Sequence, residues 1–175
     1  MTTVEALALA LVGLAVLLAL GWYLSYTAVR LDRLHTRLDA TAAALDLQVV
    51  RRAECAIETA YSAQMDPASA TLLLDAARAS LEHEGPWTSQ RQDCESAMTR
   101  LVRLVLPTAG AYPEMEECAM RVRLARRFHN EAVAQTRRVR HRPVVRVLRL
   151  AGHTELPEPV EFDDRWPDTS SPQAA

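Results

Sequence analysis

Ala6 to Val29 form 24 consecutive positions without a charged side chain, and the run is dominated by Leu, Val and Ala. Wound as a helix at about 1.5 Å per residue, it exceeds the roughly 30 Å hydrocarbon core of a bilayer. Trp22, Tyr23 and Tyr26 lie at its C-terminal end, where an interfacial aromatic belt is expected. A cleaved signal peptide is the rival reading. It calls for a positive leader, a shorter apolar run and small residues at the cleavage site. Here no Arg precedes residue 30 and bulky Trp22-Tyr23-Leu24 closes the run, so residues 1–29 are read as a transmembrane anchor. Glu5 is the only charged side chain before the span, and Arg30, Arg33 and Arg37 follow it at once. The positive-inside rule then predicts a single-pass protein of the cell membrane with its C-terminal domain in the cytoplasm.

The remaining residues of the 175 fit one domain. Gly is scarce at 5, and aromatics make up only 5%, so the core has to be packed with Ala, Leu and Val. That composition favours helices that approach closely over strands or wide pockets. All 20 basic residues are Arg, which points to a GC-rich bacterial genome rather than to a function. The net charge of −2 conceals segregation: residues 30–120 balance at −5, residues 121–149 at +9 and residues 154–175 at −5. Such blocks predict contacts between segments or with an anionic surface.

Helical periodicity runs through the middle of the chain. Leu31, Leu34, Leu38, Ala42, Leu45, Val49, Ala53, Ala56 and Ala60 recur at spacings of 3 and 4 that repeat every eleven residues. At about 3.67 residues per turn this coiled-coil-like stripe is straight or slightly right-handed. With no Gly or Pro between 22 and 66, one rod is expected from the membrane to about Gln64. Asp66-Pro67 supplies an N-cap and first-turn Pro for a second helix carrying Leu72, Leu73, Ala76, Ala77 and Leu81, broken at Gly85-Pro86. Ser89 and Gln92 suggest a capping box for a third helix with Ala97, Met98, Leu101, Val102, Leu104 and Val105. A fourth runs from about Pro113 to Arg140, acidic in its first turn and Arg-rich in its last, as the helix dipole favours. Short connections predict antiparallel neighbours. The expected fold is all-α: a transmembrane helix continuing into an antiparallel up-and-down bundle of three to four helices over residues 30–142. Residues 143–175 read as a basic arm and an acidic, Pro-rich, largely irregular tail.

No pattern of nucleophile elbow, phosphate loop, dinucleotide fingerprint or zinc helix occurs. None of the five His has Glu three residues before it, as bundle di-metal sites require. No catalytic, cofactor or metal site is therefore expected. Cys55, Cys94 and Cys118 show no CxxC spacing and are expected as unpaired, small, buried residues in a reducing compartment. The strongest local signal is Arg137, Arg138, Arg140, Arg142, Arg146 and Arg149, interleaved with Val and Leu. It suits a solvated helix end met by the acidic tail, an interfacial segment on anionic lipid, or phosphate contacts with nucleic acid. An even number of helices returns it towards the bilayer, and no aromatic residue lies between Arg137 and Leu150, so lipid is favoured over nucleic acid.

In order along the chain, an N-terminal span is followed by Leu31-Asp32-Arg33-Leu34 and Asp46-Leu47-Gln48-Val49-Val50-Arg51-Arg52. Leu124-Ala125-Arg126-Arg127-Phe128-His129-Asn130-Glu131-Ala132-Val133 comes next, then Leu150-Ala151-Gly152 and Val160-Glu161-Phe162-Asp163-Asp164. This series resembles the LemA family of bacterial membrane proteins, with Arg126, Phe128, His129, Asn130 and Val133 standing at its motif positions. His129 occupies a place where that family usually has Tyr. The resemblance implies an antiparallel bundle on a membrane anchor and no enzymatic activity. Arg126 and Asn130, one turn apart, suit either a polar contact surface or an interhelical hydrogen bond to Glu54 or Glu58. The function expected from the sequence is a non-enzymatic, membrane-anchored scaffold or interaction protein with a protein partner or self-association. The alternative is a tethered module that binds anionic lipid or nucleic acid through residues 137–149.

Overall fold

The computed structural model describes residues 3–62, 65–83, 85–106, 112–141 and 156–166. Its regular elements are four helices, α1 (Thr3–Ala60), α2 (Pro67–Glu82), α3 (Ser89–Val105) and α4 (Pro113–Arg140). α1 is long and apolar enough to cross a membrane. From Leu7 to Leu20 its large apolar side chains face outward, and Trp22 is 79% exposed. Among the described residues nothing covers these side chains, which is the pattern a lipid-facing segment requires.

Past residue 30 the same helix turns one stripe inward. Leu31, Leu45, Val49, Ala53, Ala56 and Ala60 are buried, as the eleven-residue repeat predicts. The helix ends at Ala60 rather than near Gln64. Asp66 caps α2 as expected: its carboxylate accepts from the backbone N–H groups of Ala68 and Ser69 at 3.1 and 3.0 Å. These bonds, through Ser69 first, hold the carboxyl below its usual pKa. The α3 cap differs from the sequence reading. Thr88, not Ser89, accepts from the N–H of Arg91, and Gln92 is left to make other bonds.

α1 packs against α4 and α2, and α2 against α3. One core cluster joins Ala53, Ala56 and Ala60 to Leu73 and Ala77 of α2, Met98 and Val102 of α3, and Met115 of α4. Alanine on three turns of α1 lets its neighbours approach closely. Between α1 and α4 the contacts run Arg37 to Gln135, Thr41 to His129, and Cys55 to Cys118. The last is a disulfide with Cα atoms 6.8 Å apart, leaving Cys94 as the free thiol. This corrects the expectation of three unpaired cysteines. A separation of 63 residues carries no motif, and only the packing of α1 on α4 brings the two together.

The buried face of α3 keeps Met98 and Val102 of its apolar residues but is otherwise polar. It carries Arg91, Glu95, Met98, Thr99 and Val102, whereas Leu104 is 72% exposed. Glu95, with no exposure, meets the guanidinium of Arg52 and accepts from Ser80 Oγ at 2.7 Å. Arg52 also donates to Thr99 Oγ1 at 3.0 Å. Two buried charges are tolerable here because each is bonded to the other and to hydroxyls from a second element.

Candidate functional site

α3 and α4 do not pack closely on each other; residues 156–166 lie between them. This strap has no helix or strand, and Pro157 and Pro159 explain why: each lacks a donor and biases its predecessor to extended backbone. Extended backbone leaves N–H and C=O groups that must find partners elsewhere. α4 and α3 supply them. The Asn130 amide donates to the carbonyl of Val160 and accepts from its N–H, both at 2.9 Å. Gln92 Oε1 accepts from the N–H of Glu161 at 2.7 Å, and Ser96 Oγ from that of Asp163 at 3.1 Å.

Side chains of the strap alternate between the protein and solvent, as an extended chain dictates. Val160 and Phe162 are buried against Leu45, Val49 and Val122, while Glu161 and Arg165 face out. The Phe162 ring stacks on Trp87 with centroids 5.7 Å apart, and the guanidiniums of Arg126 and Arg52 lie 5.4 and 5.9 Å from its centroid. Arg91 covers the other side of this pair, 3.9 Å from Trp87. It is fixed by Asp46 at 2.9 Å and by the carbonyl of Gly85, whose φ of 96° makes the Gly85-Pro86 turn accessible to glycine. The strap's two carboxylates are each met by an arginine: Asp163 by Arg103 at 2.7 Å, and Asp164 by Arg126 at 2.7 Å. Burial opposes the charge of Asp163. The Arg165 N–H and the Arg103 guanidinium more than offset it, so its pKa is lowered.

The motif residues thus divide. Arg126 and Asn130 do not reach Glu54 or Glu58; both hold the strap. Val133 is buried in the core. His129 is buried 3.5 Å from Thr41 Oγ1, and burial lowers its pKa. Phe128 is 54% exposed and borders a groove of about 460 Å³ between α1 and α4, together with Ala40, Ala44 and Leu124. Of the arginine run, Arg137, Arg138 and Arg140 form the last turn of α4, with Arg138 exposed. Arg142, Arg146 and Arg149 lie outside the described residues. Among the described residues, Asp163 and Asp164 of the tail meet Arg103 and Arg126. Also among them, no group of three or more His, Cys, Asp or Glu is arranged to hold a metal ion.

Comparison with known proteins gave no family model, no curated protein and no solved structure that matches this chain.

Proposed function

We propose that this protein is a non-enzymatic scaffold or interaction module anchored in the cell membrane, of the LemA type that its motifs resemble. One observation carries the reading: α1 passes without a break from an outward-facing apolar segment into a packed domain. The polar side chains of the interior support it too. Arg52, Glu95, Ser80, Arg126 and Asn130 are bonded to one another or to the strap, as structural groups are. In this reading the four helices form an antiparallel up-and-down bundle. Positions on α4 fall from 135 to 118 as those on α1 rise from 37 to 55, which supports that arrangement.

The same order of contacts favours a second role for Arg137, Arg138 and Arg140 as contacts for anionic lipid. Gln135 meets Arg37, a short way along α1 from the candidate span. Each Arg near an anionic surface contributes about 1 kcal/mol. The positive-inside argument favours the cytoplasm for the domain. The Cys55–Cys118 disulfide favours an oxidising compartment instead.

Crosslinking and mass spectrometry in native membranes test the scaffold reading, with recurrent protein partners expected. Robust turnover by the purified protein in a broad activity screen refutes it. Protease treatment of spheroplasts carrying a C-terminal tag decides the side, with protection expected for a cytoplasmic domain.

A further inference from the structure

We propose that the groove between α3 and α4 is a peptide-recognition site, that residues 156–166 are its resident occupant, and that it accepts from a partner protein an acidic linear segment of the same pattern. The proposal rests on the interaction-module reading and names the surface that would serve it.

The strap is held as a bound peptide is held. Asn130, Gln92 and Ser96 bond its main chain at Val160, Glu161 and Asp163, and such bonds give affinity without regard to sequence. Selection comes from the alternate side chains. A branched apolar residue fits at 160, a flat ring at 162 between Trp87 and two guanidiniums, and carboxylates at 163 and 164 against Arg103 and Arg126. Charge complementarity therefore specifies an extended segment reading apolar, any, aromatic, acid, acid. A proline just before it, as at Pro159, would reduce the ordering cost.

Much of the groove is set without the strap. Trp87 is covered by Arg91, which Asp46 and Gly85 hold; Gln92 donates to the carbonyl of Trp87; Ser96 donates to that of Gln92; Arg52 is held by Glu95 and Thr99. A site with walls fixed by their own bonds keeps its shape when its occupant leaves. Because the resident segment belongs to the same chain as the groove, it competes intramolecularly, at a high effective concentration. A partner then has to exceed that, or to arrive when the strap is off.

The test uses the full-length chain in nanodiscs and a fluorescent peptide of residues 156–166. Phe162→Ala/Asp164→Ala removes the ring and one of the two carboxylates that hold the strap, and so weakens its claim on the groove. The peptide is expected to bind this variant at least tenfold more tightly than the wild type. Adding Asn130→Ala should weaken binding about tenfold, and a scrambled peptide should bind neither form. Failure to bind a helical, folded variant overturns the proposal, as does equal binding of the scrambled peptide. Should the variant not fold, a protease site inserted between Arg149 and Leu150 severs the strap from α4 and changes none of the strap's own partners, Asn130, Gln92, Ser96, Arg103 and Arg126. The cut tail should then exchange with labelled peptide, and its retention over days overturns the proposal. Dimers of the wild-type chain that disappear in Phe162→Ala/Asp164→Ala would overturn the assignment to a different protein in favour of tail exchange between copies. A negative peptide result leaves the scaffold reading standing on its own crosslinking and turnover tests.

Discussion

Glu95→Ala is the substitution for which the structure predicts the largest loss. Glu95 is wholly buried and Arg52 is 3% exposed, so deletion of the carboxylate strands a guanidinium in the interior. Thr99 remains as one acceptor, but Arg52 Nε already lacks a partner among the described residues, and Ser80 loses its acceptor. Breaking a buried pair from one side costs about 3–5 kcal/mol. For a domain of this size that lowers the melting temperature by roughly 10–15 °C. Replacing the whole polar group should cost little: Arg52→Met/Ser80→Ala/Glu95→Leu is expected within about 1 kcal/mol of the parent, because an apolar set avoids the desolvation that the pair incurs. Thr99 keeps its bond to the backbone of Glu95 in either case. Urea unfolding in a nonionic detergent, followed by Trp fluorescence and circular dichroism, measures both. A double-mutant cycle on Arg52 and Glu95 should give a coupling of at least about 2 kcal/mol. A loss under about 1 kcal/mol for Glu95→Ala would show that water reaches the pair and refute the reasoning.

Asn130→Ala orphans the N–H and C=O of Val160, at about 1–3 kcal/mol, and limited proteolysis should then cut within 156–166 first. Alkylation of the denatured, unreduced protein should label only Cys94; labelling of all three cysteines would refute the α1–α4 bridge. In the chain-entropy account, closing 63 residues stabilises the fold by about 4 kcal/mol, so Cys55→Ser should lower the urea midpoint by a corresponding amount. Burial favours the neutral form of His129 and holds its pKa below the usual value of 6.5. The unfolded chain therefore binds the proton first, and stability should fall as pH drops from 6.5 through the lower folded value. His129→Gln should flatten that slope, and an unchanged slope would exclude His129 as its source. The lowered pKa of Asp163 acts at still lower pH: its contribution is present above the unfolded value near 3.8 and is lost as pH falls through the folded one. Arg103→Ala should shift the acid loosening of the strap, read from Trp87 fluorescence, to higher pH.

Where one physical rule dominates, the sequence is easily read. A run of 24 uncharged residues admits few folds, and a stripe of Leu, Val and Ala at helical spacing marks the inner face of α1 to within a turn. Asp66-Pro67 marks the start of α2 for the same reason, since few other pairs suit a cap and a first turn so well. The inner face of α3 was hidden because Arg91 and Glu95 lie on it. Charge in a sequence signals solvent, and only the distant partners, Asp46 for Arg91 and Arg52 for Glu95, reverse it. The site was half legible. Arg126 and Asn130 stand out in the sequence as a polar pair on one face of α4, but their partner is the tail and not α1. The alternation Val160, Glu161, Phe162 after two prolines was the available signal. It is a period of two, the mark of an extended chain with one side buried. Gln92 and Ser96 gave no signal, since their role lies in the backbone of a segment about 70 residues away.

A helix of 58 residues is also a lever. Between Arg30 and Ala60 it extends about 45 Å, so a tilt of about 20° within the bilayer carries its far end sideways by about 15 Å. Tilt responds to how the hydrophobic length matches the thickness of the membrane. If the candidate span crosses the bilayer, the same tilt lowers that end by only about 3 Å, so with no hinge in α1 a change in thickness chiefly swings and re-aims the α3–α4 groove. A partner that is itself fixed in orientation would then face that groove in some membranes and not in others.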